Sequence, residues 1–362
     1  MLRVSEYIRK ALSDEPYRPF PGVILIWNLT NRCNLYCKHC YSSANQETKG
    51  ELSLDEIRKV ADDLVNEKVR FAILSGGEPL LREDIYDVSA ILREKGIKTY
   101  LSTNGLLINR DNVKLIRESF DYVGISIDGT PEVHDLFRGR RHAFEDALNA
   151  IRLCLREGIK VGMRFTLSPQ TSESLPFILD LAREIEVPKL YISHLVYAGR
   201  GTRLGEVERR EYAKKVELIM DKAFEFYESG LEIDIVTGNN EADAVVLYRK
   251  FKERHPHRAD KLYEILKSWG GNQAGVRLVN IDYRGRVKPD PFFFHSVGDL
   301  RERSFSEIWN SNGILTRLRE HPRRIEGRCS ECPYIEICNG NSRARAYFST
   351  GNYFGEDLAC YI

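Results

Sequence analysis

Val23-Ile24-Leu25-Ile26-Trp27-Asn28-Leu29-Thr30-Asn31-Arg32-Cys33-Asn34-Leu35-Tyr36-Cys37-Lys38-His39-Cys40-Tyr41 carries the start of the fold and the start of the chemistry in one stretch. Residues 23–29 are a near-continuous apolar run of strand length. Directly behind them Cys33, Cys37 and Cys40 stand in a Cys-x3-Cys-x2-Cys spacing. Three thiolates hold three irons of a 4Fe-4S cluster and leave the fourth iron without a protein ligand, open to a small chelating molecule. A zinc site is the other reading, and it needs a fourth ligand nearby. His39 is the local candidate for that ligand, and it sits between two of the thiols.

Working outward, further apolar runs follow at 69–75, 98–102, 122–127, 160–167, 189–196 and 231–236, separated by amphipathic segments. Ser53 and Glu56 make a capping box, after which Ile57, Val60, Ala61 and Leu64 keep helical spacing. Continuous apolar strands alternating with helices indicate a parallel sheet covered on both faces. The fold class read from this is α/β; a partial (β/α)6 TIM-type barrel is inferred, followed by a small C-terminal module pinned by metal. Residues 1–20 are an N-terminal extension, 21–205 the barrel, 206–274 a mostly helical bridge and 275–362 the module. The cysteine triplet follows the C-terminal end of the first strand, where βα loops carry chemistry in such sheets.

Composition narrows the function classes. Lys plus Arg (54) nearly balance Asp plus Glu (53), so no broad basic field invites nucleic acid. No apolar stretch is long enough to span a bilayer, and the first residues lack a signal-peptide core, so a cytoplasmic protein is expected. Seven of the eight cysteines fall in two groups, which in such a chain argues for metal rather than disulfides. Cys154, in a helical segment at 142–157 and on one face with Ala147 and Ile151, reads as a core thiol.

The triplet and its flanks resemble the signature of radical S-adenosylmethionine (SAM) enzymes, with His39 as the aromatic residue before the third Cys. In that family the open iron chelates the amino and carboxylate groups of SAM. Ser75-Gly76-Gly77-Glu78-Pro79, after the second strand, resembles the family's Gly-Gly-Glu-Pro motif, which holds the SAM amino group. Alone a Gly-Gly turn there would be a weak signal. Ser102 and Asn104 end the third strand, Ser126 and Asp128 the fourth, and similar segments in the family contact SAM; Asn-Gly and Asp-Gly turn chemistry is the other reading. Arg164 on the fifth strand suits the SAM carboxylate, with a surface ion pair as its alternative. The resemblance implies that His39 and Tyr41 also lie in the cofactor site.

Cys329, Cys332, Cys338 and Cys360 supply four thiolates, enough for a closed zinc site or for one cluster. The module resembles a reduced SPASM domain, the auxiliary-cluster module of many radical SAM enzymes. Two cysteine positions of the full pattern hold Asp290 and Ser342 here. The resemblance therefore implies two 4Fe-4S clusters in all, one binding SAM and one auxiliary.

Ile192–Gly201, Thr237–Ala244, Trp269–Asn272, Lys288–Asp290 and Cys338–Ala346 add a likeness to the tetrapyrrole-processing branch, which includes Fe-coproporphyrin III synthase and haem d1 relatives. It implies removal of acetate side chains from a sirohaem-derived substrate through a 5'-deoxyadenosyl radical, with a ferredoxin or flavodoxin as electron donor. A flat substrate bearing carboxylates calls for Arg forks and an apolar wall. Arg200, Arg203, Arg343 and Arg345 are the candidate forks, and Phe292, Phe293 and Phe294 the wall. His194 is placed to ligate substrate iron or bond a carboxylate, with a satisfied core histidine as its other reading, and Asp290 and Ser342 border the same space. A haem d1 enzyme that removes propionate, a peptide-modifying or sulfatase-maturing SPASM enzyme, and a non-catalytic electron carrier are the competing readings.

Overall fold

The run that opens the sequence becomes a strand because its β-branched and aromatic side chains fit a pleated, half-buried surface. In the computed structural model, which describes residues 1–205 and 208–362, it is β1, Val23–Asn28. Six parallel strands follow: β2 Val69–Ser75, β3 Lys98–Thr103, β4 Tyr122–Ser126, β5 Val161–Leu167, β6 Lys189–His194 and β7 Asp234–Gly238. Each pairs with its sequence neighbour, for instance Leu25 with Ala72 and Trp27 with Leu74. The helix Leu54–Asn66 carries the expected capping box and buries Ile57, Val60, Ala61 and Leu64. Cys154 is fully buried on the helix Ala143–Arg156.

The sheet stays open, and the chain adds to it beyond both β7 and β1. Leu2 exchanges backbone hydrogen bonds with Thr237 on β7, and the helix Val4–Leu12 buries Val4, Tyr7, Ile8 and Ala11 behind it. On the other side β8, Leu278–Ile281, runs parallel to β1. β9, Arg286–Lys288, and β10, Gly298–Asp299, extend the same sheet antiparallel. The sheet thus has ten strands in the order β10-β9-β8-β1-β2-β3-β4-β5-β6-β7. Within the mostly helical bridge, β7 overlaps the apolar run expected at 231–236, and the C-terminal module begins by adding strands to the barrel's own sheet. Residues 206 and 207, at the start of that bridge, lie outside the described residues. Among the described residues no helix is long and apolar enough to cross a membrane.

Candidate functional site: a cysteine loop over the strand ends

The loop after β1 is held by the loops that follow other strands. After β2, Gly77 N donates to Thr30 O and Glu78 N to Arg32 O, both at 2.7 Å. A Cβ on Gly77 would stand 2.0 Å from the Arg32 carbonyl oxygen, so only glycine lets these two backbones lie together. After β6, Gly199 (φ +54°) presses on the Cys40 and Tyr41 carbonyls in the same way. Arg200 donates from N to Cys40 O, from Nε to Cys37 O and from Nη1 to Ala44 O, and its guanidinium lies 4.0 Å from the Tyr36 ring centroid.

The three thiols line one cavity at the C-terminal ends of the strands, together with His39, Tyr41, Gly76, Gly77, Ser102, Asn104, Ser126, Arg164, His194, Arg200 and Phe292. Arg164 lies with its guanidinium 5.1 Å from the Tyr191 ring centroid, and it has no ion pair among the described residues. A cation left so in a cavity wall suits a carboxylate. Tyr41 accepts a hydrogen bond from Asn28 and packs edge-on against Phe292. Burial pushes the Cys33 thiol up to about 12 and shifts Cys37 in the same direction. Thiols held like this stay protonated near neutral pH unless a cation binds them, and iron is such a cation.

Several expected cofactor contacts lie outside the cavity wall. Glu78 is fully buried, and its carboxylate accepts from Thr103 Oγ1, Asn104 N and Leu80 N. Burial raises it to about 6. Its observed task is to join the loops after β2 and β3, and Pro79 begins the short 3-10 turn behind it. Asp128 is likewise absent from the wall. Its Oδ2 accepts from Arg138 Nε at 2.7 Å and its Oδ1 from Thr166 N at 2.7 Å. Sequence reasoning missed Arg138, which lines the cavity and donates from Nη1 to Cys37 Sγ at 3.6 Å. Its signal was the Arg138-Gly139 step ten residues beyond Asp128-Gly129. His39 stacks on Phe137, with ring centroids 4.3 Å apart and planes at 2°. Burial lowers it to about 3, so at neutral pH it is an uncharged ring.

Residues 27–182 match the model of the radical SAM superfamily, and 273–333 match SPASM, described as an iron–sulfur cluster-binding domain. The pre-heme d1 synthase of Dinoroseobacter shibae is 42% identical, covering 100% of this chain and 92% of the relative. The Fe-coproporphyrin III synthase of Methanosarcina barkeri is 39% identical, covering 94% and 88%. The chain belongs to the radical SAM superfamily. This radical SAM enzyme carries a SPASM domain, and its relatives place it in the superfamily's tetrapyrrole-processing branch. Streptococcus suis SuiB bound to S-adenosylmethionine shares its fold, with a TM-score of 0.74 at 17% identity, covering 94% of this chain and 77% of SuiB.

The four cysteines of the C-terminal module lie close enough to influence one another's charge. Cys329 belongs to the 3-10 turn Gly327–Glu331, Cys332 follows it, Cys338 ends the helix Ile335–Cys338, and Cys360 lies near the C-terminus. Burial raises the thiols of Cys329, Cys338 and Cys360, and charge on neighbouring cysteines of the set adds to the rise. Arg343 is fully buried beside Cys329 and Cys338, with Nη1 on the Tyr353 and Gly355 carbonyls and Nη2 without a partner. An orphaned guanidinium N–H beside two of these thiols fits an anionic thiolate-ligated cluster. Among the described residues, no group of His, Cys, Asp or Glu is gathered to hold a single metal ion.

The expected substrate residues divide. His194, Arg200 and Phe292 reach the cavity; Arg203, Asp290, Ser342, Arg343 and Arg345 do not. Arg343 and Arg345 correct the reading as carboxylate forks. Arg345 is 2% exposed, and its donors are spent on Asp357, Leu195 O and Asn239 O. Ser342 caps the helix Arg343–Thr350 by accepting from Arg345 N. Arg203 is exposed. Asp290 is buried and accepts from Phe292 N and Phe293 N, which aims the aromatic run; burial raises it to about 7. Phe293 stacks on Tyr353 in the core, while Phe294 is 40% exposed.

Proposed function

We propose that this enzyme removes acetate side chains from didecarboxysirohaem to give Fe-coproporphyrin III, using two 4Fe-4S clusters and an external one-electron donor such as ferredoxin or flavodoxin. The observation that carries the reading is whole-chain likeness to two tetrapyrrole enzymes, joined to a cavity that holds the cysteine triplet and an aromatic wall. Cys33, Cys37 and Cys40 would hold the first cluster, with Arg164 facing the SAM carboxylate. Cys329, Cys332, Cys338 and Cys360 would hold the second. When bound, cluster and SAM supply the one-electron cleavage that yields a hydrogen-abstracting radical.

The chain's own residues bind and orient. The loops bearing Gly77, Arg138 and Gly199 fix the cysteine loop with its three thiols on the cavity wall, where they would hold the cluster. The uncharged His39, backed by Phe137, presents a flat apolar ring that suits a purine. Phe292 against Tyr41 gives the macrocycle an aromatic neighbour. Such walls exclude water from a reactive radical.

Removal of propionate, as a haem d1 enzyme, is the second reading; the 42% identity to the Dinoroseobacter shibae protein favours it. The test is absorbance titration of the anaerobically reconstituted enzyme with didecarboxysirohaem, sirohaem and a control peptide. Saturable binding of didecarboxysirohaem is expected. Peptide binding without tetrapyrrole binding would refute the proposal.

A further inference from the structure

Leu136 and Tyr36, 67% and 65% exposed, are the two most exposed large apolar side chains among the described residues. They are far apart in sequence, and the fold clasps their segments together. Lys38 N donates to Phe137 O at 2.9 Å. Gly139 ends the helix Pro131–Arg138 so close to the cysteine loop that a Cβ there would stand 3.1 Å from Tyr36 O. Arg200 lies over the Tyr36 ring, its guanidinium 4.0 Å from the centroid.

The cysteine loop therefore has an inner and an outer face. Cys33, Leu35, Cys37 and His39 line the cavity, whereas Tyr36 and Lys38 are exposed and take no part in its wall. Cys37, 7% exposed, is all that separates Tyr36 from Lys38 along the chain. Next to Leu136, Phe137 stacks on His39 of the wall. This outer face reaches the cysteine triplet without entering the space that SAM and substrate would fill. Its charges are unevenly matched. Arg140 pairs with Asp146, and Asp135 accepts from His142 N and Phe144 N. Lys38, Arg141 and Arg200 have no carboxylate partner among the described residues, and Glu132 stands exposed on the first turn of the helix. Exposed apolar side chains beside unpaired cations mark a protein contact more than a solvated surface.

We propose that this face, Tyr36 and Leu136 flanked by Lys38, Arg141 and Arg200, is where flavodoxin docks to reduce the first cluster. The proposal rests on the function proposed above, which calls for an external one-electron donor and a cluster on the cysteine triplet. The apolar pair suits the dimethylbenzene edge of a flavin, and the cations suit an acidic rim around it. The anionic flavin hydroquinone becomes the neutral semiquinone by giving one electron to the cluster, with no proton transferred. Electron-transfer encounters are small and steered by charge, which a two-residue apolar centre with basic neighbours fits.

Calorimetric titration of oxidised flavodoxin into the anaerobically reconstituted enzyme reads docking. Deoxyadenosine formed with flavodoxin hydroquinone, divided by that formed with dithionite, reads electron entry, because dithionite needs no docking surface. Leu136→Glu, at an exposed position that costs the fold little, is expected to weaken flavodoxin binding about tenfold and to lower the ratio with it. Its iron content and dithionite-driven activity should match the wild type. Wild-type binding should weaken between about 0.01 and 0.15 M ionic strength, and a Lys38→Glu, Arg141→Glu double variant should bind weakly at both. Leu115→Glu, an exposed leucine on the helix Val113–Ser119, should change neither readout. Binding and ratio unmoved in Leu136→Glu and in the double variant, or an equal loss in Leu115→Glu, would overturn the docking surface. So would a ratio lowered by Arg328→Glu, beside Cys329 and Cys360, and not by Leu136→Glu, since electrons would then enter at the auxiliary site. A wild type that cleaves SAM with dithionite but neither binds flavodoxin nor accepts its electron overturns the donor reading on which the surface rests.

Discussion

Replacing Arg138 with Leu tests whether the buried Arg138–Asp128 pair holds the cysteine loop. Asp128 is fully buried and Arg138 is 8% exposed, so solvent cannot rescue either charge. Removing one partner of a buried pair costs about 3–5 kcal/mol, because the other charge is stranded. Asp128 keeps its bond from Thr166 N, which places Arg138→Leu near the lower end, about 3 kcal/mol. Against a total stability of about 5–15 kcal/mol, that is a large share. Adding Asp128→Asn removes the stranded charge and should restore about 2 kcal/mol, giving a clear coupling in the cycle. Cys37 Sγ also loses its donor, so Arg138→Leu should incorporate less iron on reconstitution. The assay is anaerobic urea unfolding followed by circular dichroism, with iron analysis of each variant. A cost under about 1 kcal/mol, or additive single and double variants, would refute the reasoning.

Three further outcomes follow from particular contacts. Gly77→Ala sets a Cβ against the Arg32 carbonyl and should cost about 1–3 kcal/mol and most of the first cluster's iron; Gly313→Ala, with nothing within 4 Å, should leave both unchanged. Arg164→Met should weaken SAM binding in equilibrium dialysis about 10–100-fold, the worth of a charge-assisted hydrogen bond. Burial pushes Asp290 up from its ordinary 3.8 to about 7, so the wild type should lose stability as pH rises across that window. Asp290→Asn keeps the acceptor for Phe292 N and Phe293 N without the charge. Its advantage in melting temperature should be absent near pH 4 and grow toward pH 8, by an amount on the order of 4 kcal/mol in stability; an equal advantage at both pH values would exclude the assignment.

Local signals carried most of the barrel and little of the module. The apolar run at 23–29 forms β1 over all but its last residue and that at 69–75 forms β2, and the Ser53–Glu56 box starts the helix it marks, because both depend on neighbours in sequence. The cysteine triplet was legible for the same reason. β8 was not read as part of the sheet, since four residues carry no periodicity and its partner β1 lies some 250 residues earlier. Arg343 and Arg345 looked like carboxylate forks because burial cannot be seen in composition. Their partners, Asp357 and the Leu195, Asn239, Tyr353 and Gly355 carbonyls, come from three separate segments. Arg138 with Cys37 and Tyr361 with Asp243 were missed likewise, each pair lying more than 100 residues apart.

The most direct test of the central claim is the mass of the tetrapyrrole product after anaerobic turnover of the reconstituted enzyme with SAM, a one-electron reductant and didecarboxysirohaem. The account predicts loss of acetate side chains to give Fe-coproporphyrin III, with deoxyadenosine formed in proportion. Loss of propionate would move the enzyme to the haem d1 reaction, and deoxyadenosine formed over an unchanged tetrapyrrole would contradict the account.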